Sequence, residues 1–230
     1  MAIAHLKLYH FPMTRSARVL WALHETTPGG FEIQTIELYR GEQYAPAYLA
    51  LNPNHNVPLL EISWDDGRVQ TMIESGAIVS FLADAFPEAA IAPPPGASAE
   101  RADYLQMLQF GATQLDMMLW QVRIHEHILA DTQSDARTIV RYRAKFETEG
   151  EPQLRRRLER GGFICGETFT AADCIVGHDV GWARLYGLCQ DPVFAAYLAR
   201  LAQRPAFAAA FADVARFSVE PPAKRAVFSG

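Results

Sequence analysis

Two hydroxyl residues at the head of a helical pattern are the first place where this sequence can do chemistry. Thr14 and Ser16 follow Phe11-Pro12-Met13 and lead into the apolar run Ala17 to Leu23. The first N–H groups of a helix have no intrahelical partner, and the helix dipole favours negative charge beside them. A hydroxyl there can donate a hydrogen bond to a thiolate and bring a thiol pKa from about 8.5 toward neutrality. The same residue types are ordinary helix caps, so the local sequence leaves both roles open.

Two further segments carry ligand-binding chemistry. Asn56-Val57-Pro58 stands before a strand pattern. A cis proline there would turn the N–H and C=O of Val57 toward an extended peptide, whereas a trans proline would simply start the strand. Glu74-Ser75-Gly76 opens another helical pattern. The Ser75 hydroxyl and the helix-start N–H groups suit a carboxylate, and Glu74 suits an ammonium, so the pair fits the α-amino acid end of a ligand. Plain capping is the competing role. Thr170-Ala171-Ala172-Asp173 is a capping box, in which each side chain closes a backbone donor at a helix start. It is structural and bears on no substrate.

These segments need a scaffold, and its outline is periodic. Leu6 to His10 alternates as a strand, Thr14 to Glu25 is helical with Thr14 or Ser16 as its cap, and Phe31 to Leu38 is a second strand. Tyr44 to Leu51 is a short helix, Val57 to Ile62 a strand, and Asp65-Asp66-Gly67 a hairpin turn into Val69 to Met72. A helix over Glu74 to Phe86 completes the order β-α-β-α-β-β-α, a thioredoxin-like α/β domain over residues 1–86. Residues 87–98, with Pro93-Pro94-Pro95-Gly96, form a linker. Beyond it the pattern is all helical: 99–129, 135–160 with a break near Gly150 and Pro152, then 170–188, 192–203 and 205–214. The second domain is therefore a helical bundle over 99–230, with an irregular tail after Phe217.

Composition bounds the function. Of 230 residues, 50% are hydrophobic and 20% charged, an ordinary globular balance. A net charge of -5 lacks the basic excess of a nucleic-acid surface. No run approaches the roughly 18 apolar residues of a membrane span, and the start lacks a secretory pattern, so the expected location is the cytoplasm. The three cysteines, Cys165, Cys174 and Cys189, have no metal-ligand spacing and are expected to be small buried hydrophobes, so no metal is expected. His125 and His127, two apart on a helix, point to different faces and are surface residues. Trp21 belongs to the core.

The ordered set Leu8-Tyr9, Arg18-Val19-Leu20-Trp21-Ala22-Leu23, Asn52-Pro53, Val57-Pro58-Leu59-Leu60, Glu74-Ser75, Gly166 to Asp173, and Tyr197 to Leu201 followed by Arg204-Pro205-Ala206-Phe207 resembles the cytosolic glutathione S-transferases. The resemblance runs from the first strand to the last helix and is to the bacterial type with Ser or Thr, rather than Tyr or Cys, in the active site. It implies a homodimer that binds glutathione as co-substrate in the first domain and a hydrophobic electrophile in a cleft facing the helical domain. It also implies that Val57 bonds the cysteinyl backbone with Pro58 cis, next to Asn56. Glu74 and Ser75 would hold the γ-glutamyl end. Thr14 would stabilise the thiolate, with Ser16 as the fallback. Tyr104, Phe110 and Gln114 on the first helix of the second domain are the implied electrophile contacts.

The departures from the family pattern are specific. His10 stands immediately before Phe11-Pro12, where some classes place an activating tyrosine, and Tyr9 should point to the opposite face of the strand. His55-Asn56 replaces the usual Gly-Lys before Val-Pro. No cysteine lies near the turn, which disfavours thiol–disulfide exchange. Glutathione-dependent peroxide or disulfide reduction, and a non-catalytic glutathione-binding or assembly module, are the competing functions.

Overall fold

The computed structural model describes residues 2–214, so the predicted tail after Phe217 lies outside the described residues. Packing divides the chain into two units: residues up to Ala97 together with a returning segment from Ala202, and residues Ser98–Leu201.

In the first unit β1 (Ile3–His10) alternates, with Leu6, Leu8 and His10 buried on one face. Tyr9 therefore lies on the other face, where its hydroxyl donates to Glu61 Oε2 at 3.3 Å, as the period of two requires. α1 (Ser16–Thr26) buries Val19, Leu20, Trp21, Ala22 and Leu23. The second strand, β2 (Glu32–Thr35), is shorter than the predicted 31–38. The chain leaves it with Ile36 N–H donating to the His10 carbonyl, then enters a tight turn over Leu38–Arg40.

A short α2 (Pro46–Leu49) precedes β3 (Leu59–Trp64), β4 (Val69–Ile73) and α3 (Ser75–Ala85). The strand order is β2-β1-β3-β4, with β1 and β2 parallel and the other two pairs antiparallel. This is the mixed sheet expected for a thioredoxin-like domain. Pro87–Ala89 forms one tight helical turn, and no regular element occupies the proline-rich stretch that follows.

The second unit is helical. α4 (Ala99–Gln109) and α5 (Asp116–Arg123) are joined through a wide π-type turn at Phe110–Leu115, and a second such turn, Ile124–Ile128, ends the run. Gly111 sits in the first wide turn because space is lacking: a Cβ there would lie 2.8 Å from Ile175 Cγ2. The predicted break near Gly150 is a third wide turn, Phe146–Gly150, between α6 (Ala136–Lys145) and α7 (Glu151–Leu158).

α8 (Ala171–Leu185) is the buried central helix, and its start is the predicted capping box. Asp173 is fully buried there. It accepts hydrogen bonds from Thr170 N–H (2.8 Å), Ile164 N–H (2.9 Å) and Tyr197 O–H (2.7 Å), the last from α9 (Pro192–Leu201).

The last described helix, α10 (Pro205–Ala210), corrects the expectation of one helical domain over 99–230, because it packs on α1 in the first unit. Phe207 meets Trp21 edge-on at 5.0 Å, and Arg204 grips the Glu25 carboxylate with both arms, at 2.6 and 2.8 Å. Trp21 is core, as expected, and its indole N–H donates to Glu25 Oε1 at 2.9 Å. Burial of apolar aromatic surface, rather than sequence neighbourhood, decides where this helix belongs. Among the described residues no helix is long and apolar enough to cross a membrane.

Candidate active site

β1 ends at His10, and the chain turns through Phe11–Arg15 into α1, closed by Ala17 N–H to the Thr14 carbonyl at 3.0 Å. The cap position is Arg15, which makes no side-chain cap; the expectation of Thr14 or Ser16 there is corrected. Both hydroxyls fold into the turn instead. Thr14 Oγ1 donates to the Phe11 carbonyl at 2.7 Å and accepts from Ser16 N–H at 3.3 Å. Ser16 Oγ accepts from Phe11 N–H at 3.1 Å and lies 2.8 Å from Thr14 Oγ1 and 2.7 Å from His10 Nδ1. Ser16 is fully buried and Thr14 half-buried, so of the two candidates Thr14 is the one with surface to offer a ligand.

The Val57-Pro58 peptide bond is cis. Sheet pairing of β3 begins at Leu59, which leaves the Val57 N–H and C=O outside the ladder. The preceding loop is held firmly: Tyr48 O–H donates to the Asn56 carbonyl at 2.6 Å, and the Asn52 amide reaches both that carbonyl and Asn56 Oδ1 at 2.9 Å. Val57 packs in one cluster with Phe11, Ile36 and Tyr48, so this loop and the Thr14 turn share a floor.

Glu74 caps α3 from a left-handed backbone, φ 71°, and is exposed, while Ser75 is buried behind it. Arg18, fully buried on α1, donates from Nη1 to Ser75 Oγ at 3.3 Å. That contact joins the start of α3 to α1 and sets a guanidinium beside helix-start N–H groups, a combination that favours a carboxylate. Of the five non-glycine residues with positive φ among the described residues, three flank these segments: Met13 (60°), His55 (45°) and Glu74 (71°). Each such conformation costs on the order of 1–3 kcal/mol, and strain of this kind collects at functional sites.

A model of the glutathione S-transferase N-terminal domain matches residues 4–84, and one of the C-terminal domain matches residues 148–215. The chain belongs to the glutathione S-transferase family. Glutathione S-transferase GstA of Escherichia coli O157:H7 is 28% identical over 203 residues, covering 87% of this chain and 94% of the relative. Disulfide-bond oxidoreductase YfcG of Escherichia coli strain K12 is 27% identical over 205 residues, with 87% and 92% covered. The crystal structure of a glutathione transferase from Burkholderia graminis, with two glutathione molecules bound per subunit, superposes with a TM-score of 0.76. It is 25% identical, and the match covers 93% of this chain and 90% of that one.

The remaining expectations for a glutathione S-transferase site divide unevenly. On α4, Tyr104 is fully buried beside Met107 and Leu108, with the Arg101 guanidinium 5.2 Å from its ring centre, so its expected role as a substrate contact is corrected to a core role. Phe110 is half-buried and Gln114 exposed, both in the wide turn after α4. Cys174 and Cys189 are buried, and burial pushes the half-buried Cys165 thiol up to about 12, so it stays protonated at neutral pH. His125 is half-buried and tied into its loop, its Nδ1 accepting from Asp135 N–H at 3.1 Å.

Two groups escaped sequence reasoning. Arg18 appears as one basic residue in an apolar helix face, a signal available but unused. Asp213 carries no local signal at all, yet Asp213 Oδ2 lies 3.4 Å from His10 Nε2.

Burial lowers the His10 pKa, and Asp213 pulls it back only in part. In the unfolded chain histidine binds a proton near pH 6.5. As pH falls the unfolded state is therefore protonated first, and stability drops from about pH 6.5 down to the depressed folded value. The expected result is a urea midpoint that declines as pH is lowered from about 8 to about 5, with a shallower decline in His10→Gln.

Proposed function

We propose that this chain is a glutathione transferase that activates the glutathione thiol and delivers it to a hydrophobic electrophile. The observation that carries the reading is the convergence of the three candidate segments, through the shared Phe11–Val57 cluster and the Arg18–Ser75 hydrogen bond. The names of its relatives support the same activity.

In this reading the Val57 N–H and C=O pair with the cysteinyl backbone of glutathione, as an added strand pairs with a sheet edge. Glu74 accepts from the γ-glutamyl ammonium, and the start of α3, with the Ser75 hydroxyl and Arg18 behind it, takes the carboxylate. Asn56, fixed by Tyr48 and Asn52, borders the same edge. The half-buried Thr14 hydroxyl faces the sulfur and donates to the thiolate. The sulfur lone pair then forms a C–S bond with the electrophilic carbon. Orientation and a stabilised thiolate are what the protein contributes, since the tripeptide is itself the nucleophile. Phe110 and Gln114 are the side chains assigned to the electrophile. The working form is a cytoplasmic homodimer, which a molar mass in solution checks.

The test is the ultraviolet difference spectrum of glutathione with the protein, recorded across a pH series. A thiolate band at neutral pH, saturating with glutathione, is the expected result. Absence of saturable binding at millimolar glutathione overturns the reading.

A further inference from the structure

Four polar groups stand in file from the buried end of β1 to the surface of the Thr14 turn. Asp213 Oδ2 lies 3.4 Å from His10 Nε2, His10 Nδ1 is 2.7 Å from Ser16 Oγ, and Ser16 Oγ is 2.8 Å from Thr14 Oγ1. Capping does not account for the histidine. His10 is 1% exposed, and it shares its strand face with Leu6 and Leu8, where an apolar side chain would pack at no polar cost. Among the described residues His10 Nε2 and Asp213 Oδ1 are both buried without a hydrogen-bond partner of their own, a condition that destabilises a fold unless something else requires it. The segment that carries Asp213 follows α10, which Arg204–Glu25 and Phe207–Trp21 fasten to α1.

We propose that Asp213, His10 and Ser16 form a proton wire ending at Thr14, which withdraws the proton of a thiol bound there. The proposal rests on the glutathione reading. His10 and Asp213 act through the two hydroxyls and touch no substrate. With its Nε2–H turned to Asp213, His10 presents the Nδ1 lone pair to Ser16. Ser16 then donates to Nδ1, and its oxygen, which already accepts from Phe11 N–H, also accepts from Thr14. To join the file both hydroxyls turn their single protons away from the Phe11 carbonyl, which lies 2.7 Å from Thr14 Oγ1 and 3.0 Å from Ser16 Oγ. Every hydroxyl then points inward, and a Thr14 lone pair is left for an incoming S–H.

Ionisation shifts three protons one place each. The S–H bond breaks and its electron pair stays on sulfur, the proton passing to Thr14 Oγ1. The former Thr14 proton passes to Ser16 Oγ, and the former Ser16 proton to His10 Nδ1. The file now points outward: imidazolium to Ser16, Ser16 to Thr14, and Thr14 to the thiolate. One movement removes the proton and supplies the hydrogen bond that holds the anion. The imidazolium is balanced by Asp213, the titratable side chain that acts on His10 among the described residues. After the C–S bond has formed, the extra proton leaves along the same file to a leaving group or to water at Thr14. The 3.4 Å approach of Asp213 is long for a hydrogen bond, as catalytic contacts often are before substrate binds.

The experiment is the pH titration of bound glutathione by thiolate absorbance, in the wild type, His10→Gln and Asp213→Asn, with glutathione affinity measured alongside. Each variant is expected to raise the thiolate midpoint, by about one unit for His10→Gln, an about tenfold loss of thiolate below the midpoint, with affinity changed less than about twofold. Asp213→Asn, at a partly exposed residue, keeps the test available if the buried substitution fails to fold. A wild-type thiolate band with the same midpoint in the folded variants overturns the wire and leaves glutathione binding standing. Absence of glutathione binding in the wild type overturns the reading beneath it. Nitrogen chemical shifts of His10 in the ligand-free protein give a separate check: the Nε2–H tautomer is expected, and an Nδ1–H tautomer overturns the wire whatever glutathione does.

Discussion

Thr14→Ala is expected to lower kcat/KM for conjugation by about tenfold to a hundredfold, while glutathione binds nearly as before. One hydrogen bond to a developing or resting anion is removed, and in a partly desolvated site such a bond is worth about 1.4–2.7 kcal/mol, between neutral and fully preorganised donors. Affinity is expected to be spared because the proposed binding mode holds the peptide by the Val57 edge and by Glu74 and Ser75, outside the Thr14 turn. With glutathione bound the single Thr14 proton turns from the Phe11 carbonyl to the sulfur. In the ligand-free turn the substitution removes two contacts, Thr14 O–H to the Phe11 carbonyl and Ser16 N–H to Thr14 Oγ1. That costs about 1 kcal/mol of stability, the usual scale for a local side-chain to backbone bond. Thr14→Ser keeps every one of these contacts and should retain most of the activity. Steady-state kinetics with an aryl halide, run beside glutathione binding, separates the two effects. Full turnover in Thr14→Ala would pass the thiolate to a backbone N–H at the start of α1, because Ser16 is fully buried.

Asp173→Ala is expected to produce the largest loss of stability, about 3–5 kcal/mol, and a fall of roughly 10 °C in Tm. The carboxylate has no solvent and four donors: the Ile164 and Thr170 N–H groups, the Thr170 hydroxyl and the Tyr197 hydroxyl. Burial pushes the Asp173 pKa up, and those hydrogen bonds offset the rise only in part. Truncation removes the acceptor and strands several buried donors at once, at about 1–3 kcal/mol each before relaxation. It also removes one half of the capping box at the start of α8 and the link from α8 to α9. Thermal unfolding followed by circular dichroism reads the effect directly. A loss below about 1 kcal/mol would mean that water enters and replaces the carboxylate.

The periodic signals in this sequence were reliable wherever the deciding interaction is local. Alternation over Leu6 to His10 put Tyr9 and His10 on opposite faces of β1, and the structure has them there. The proline-rich stretch, the break near Gly150 and the Thr170–Asp173 box each depend on a few adjacent residues, and each stands where the pattern placed it. Boundaries moved where a turn intervened, as at β2, which stops at Thr35 because Ile36 bonds back to His10.

What the chain alone could not decide was which hydroxyl has surface, and what stands behind it. Thr14 and Ser16 are equivalent as local sequence, and burial of Ser16 against His10 and Phe11 separates them. Tyr104 had the chemistry of a ligand contact and became core, because its helix face is closed by packing. Arg18 reaches Ser75, and Asp213 reaches His10, across distances in sequence that no spacing rule spans. Propensity, capping and periodicity are properties of a few consecutive residues, so they can be read from sequence. The return of α10 to the first unit depends on aromatic burial against Trp21 and the Arg204–Glu25 pair, energies that exist only once the chain has folded.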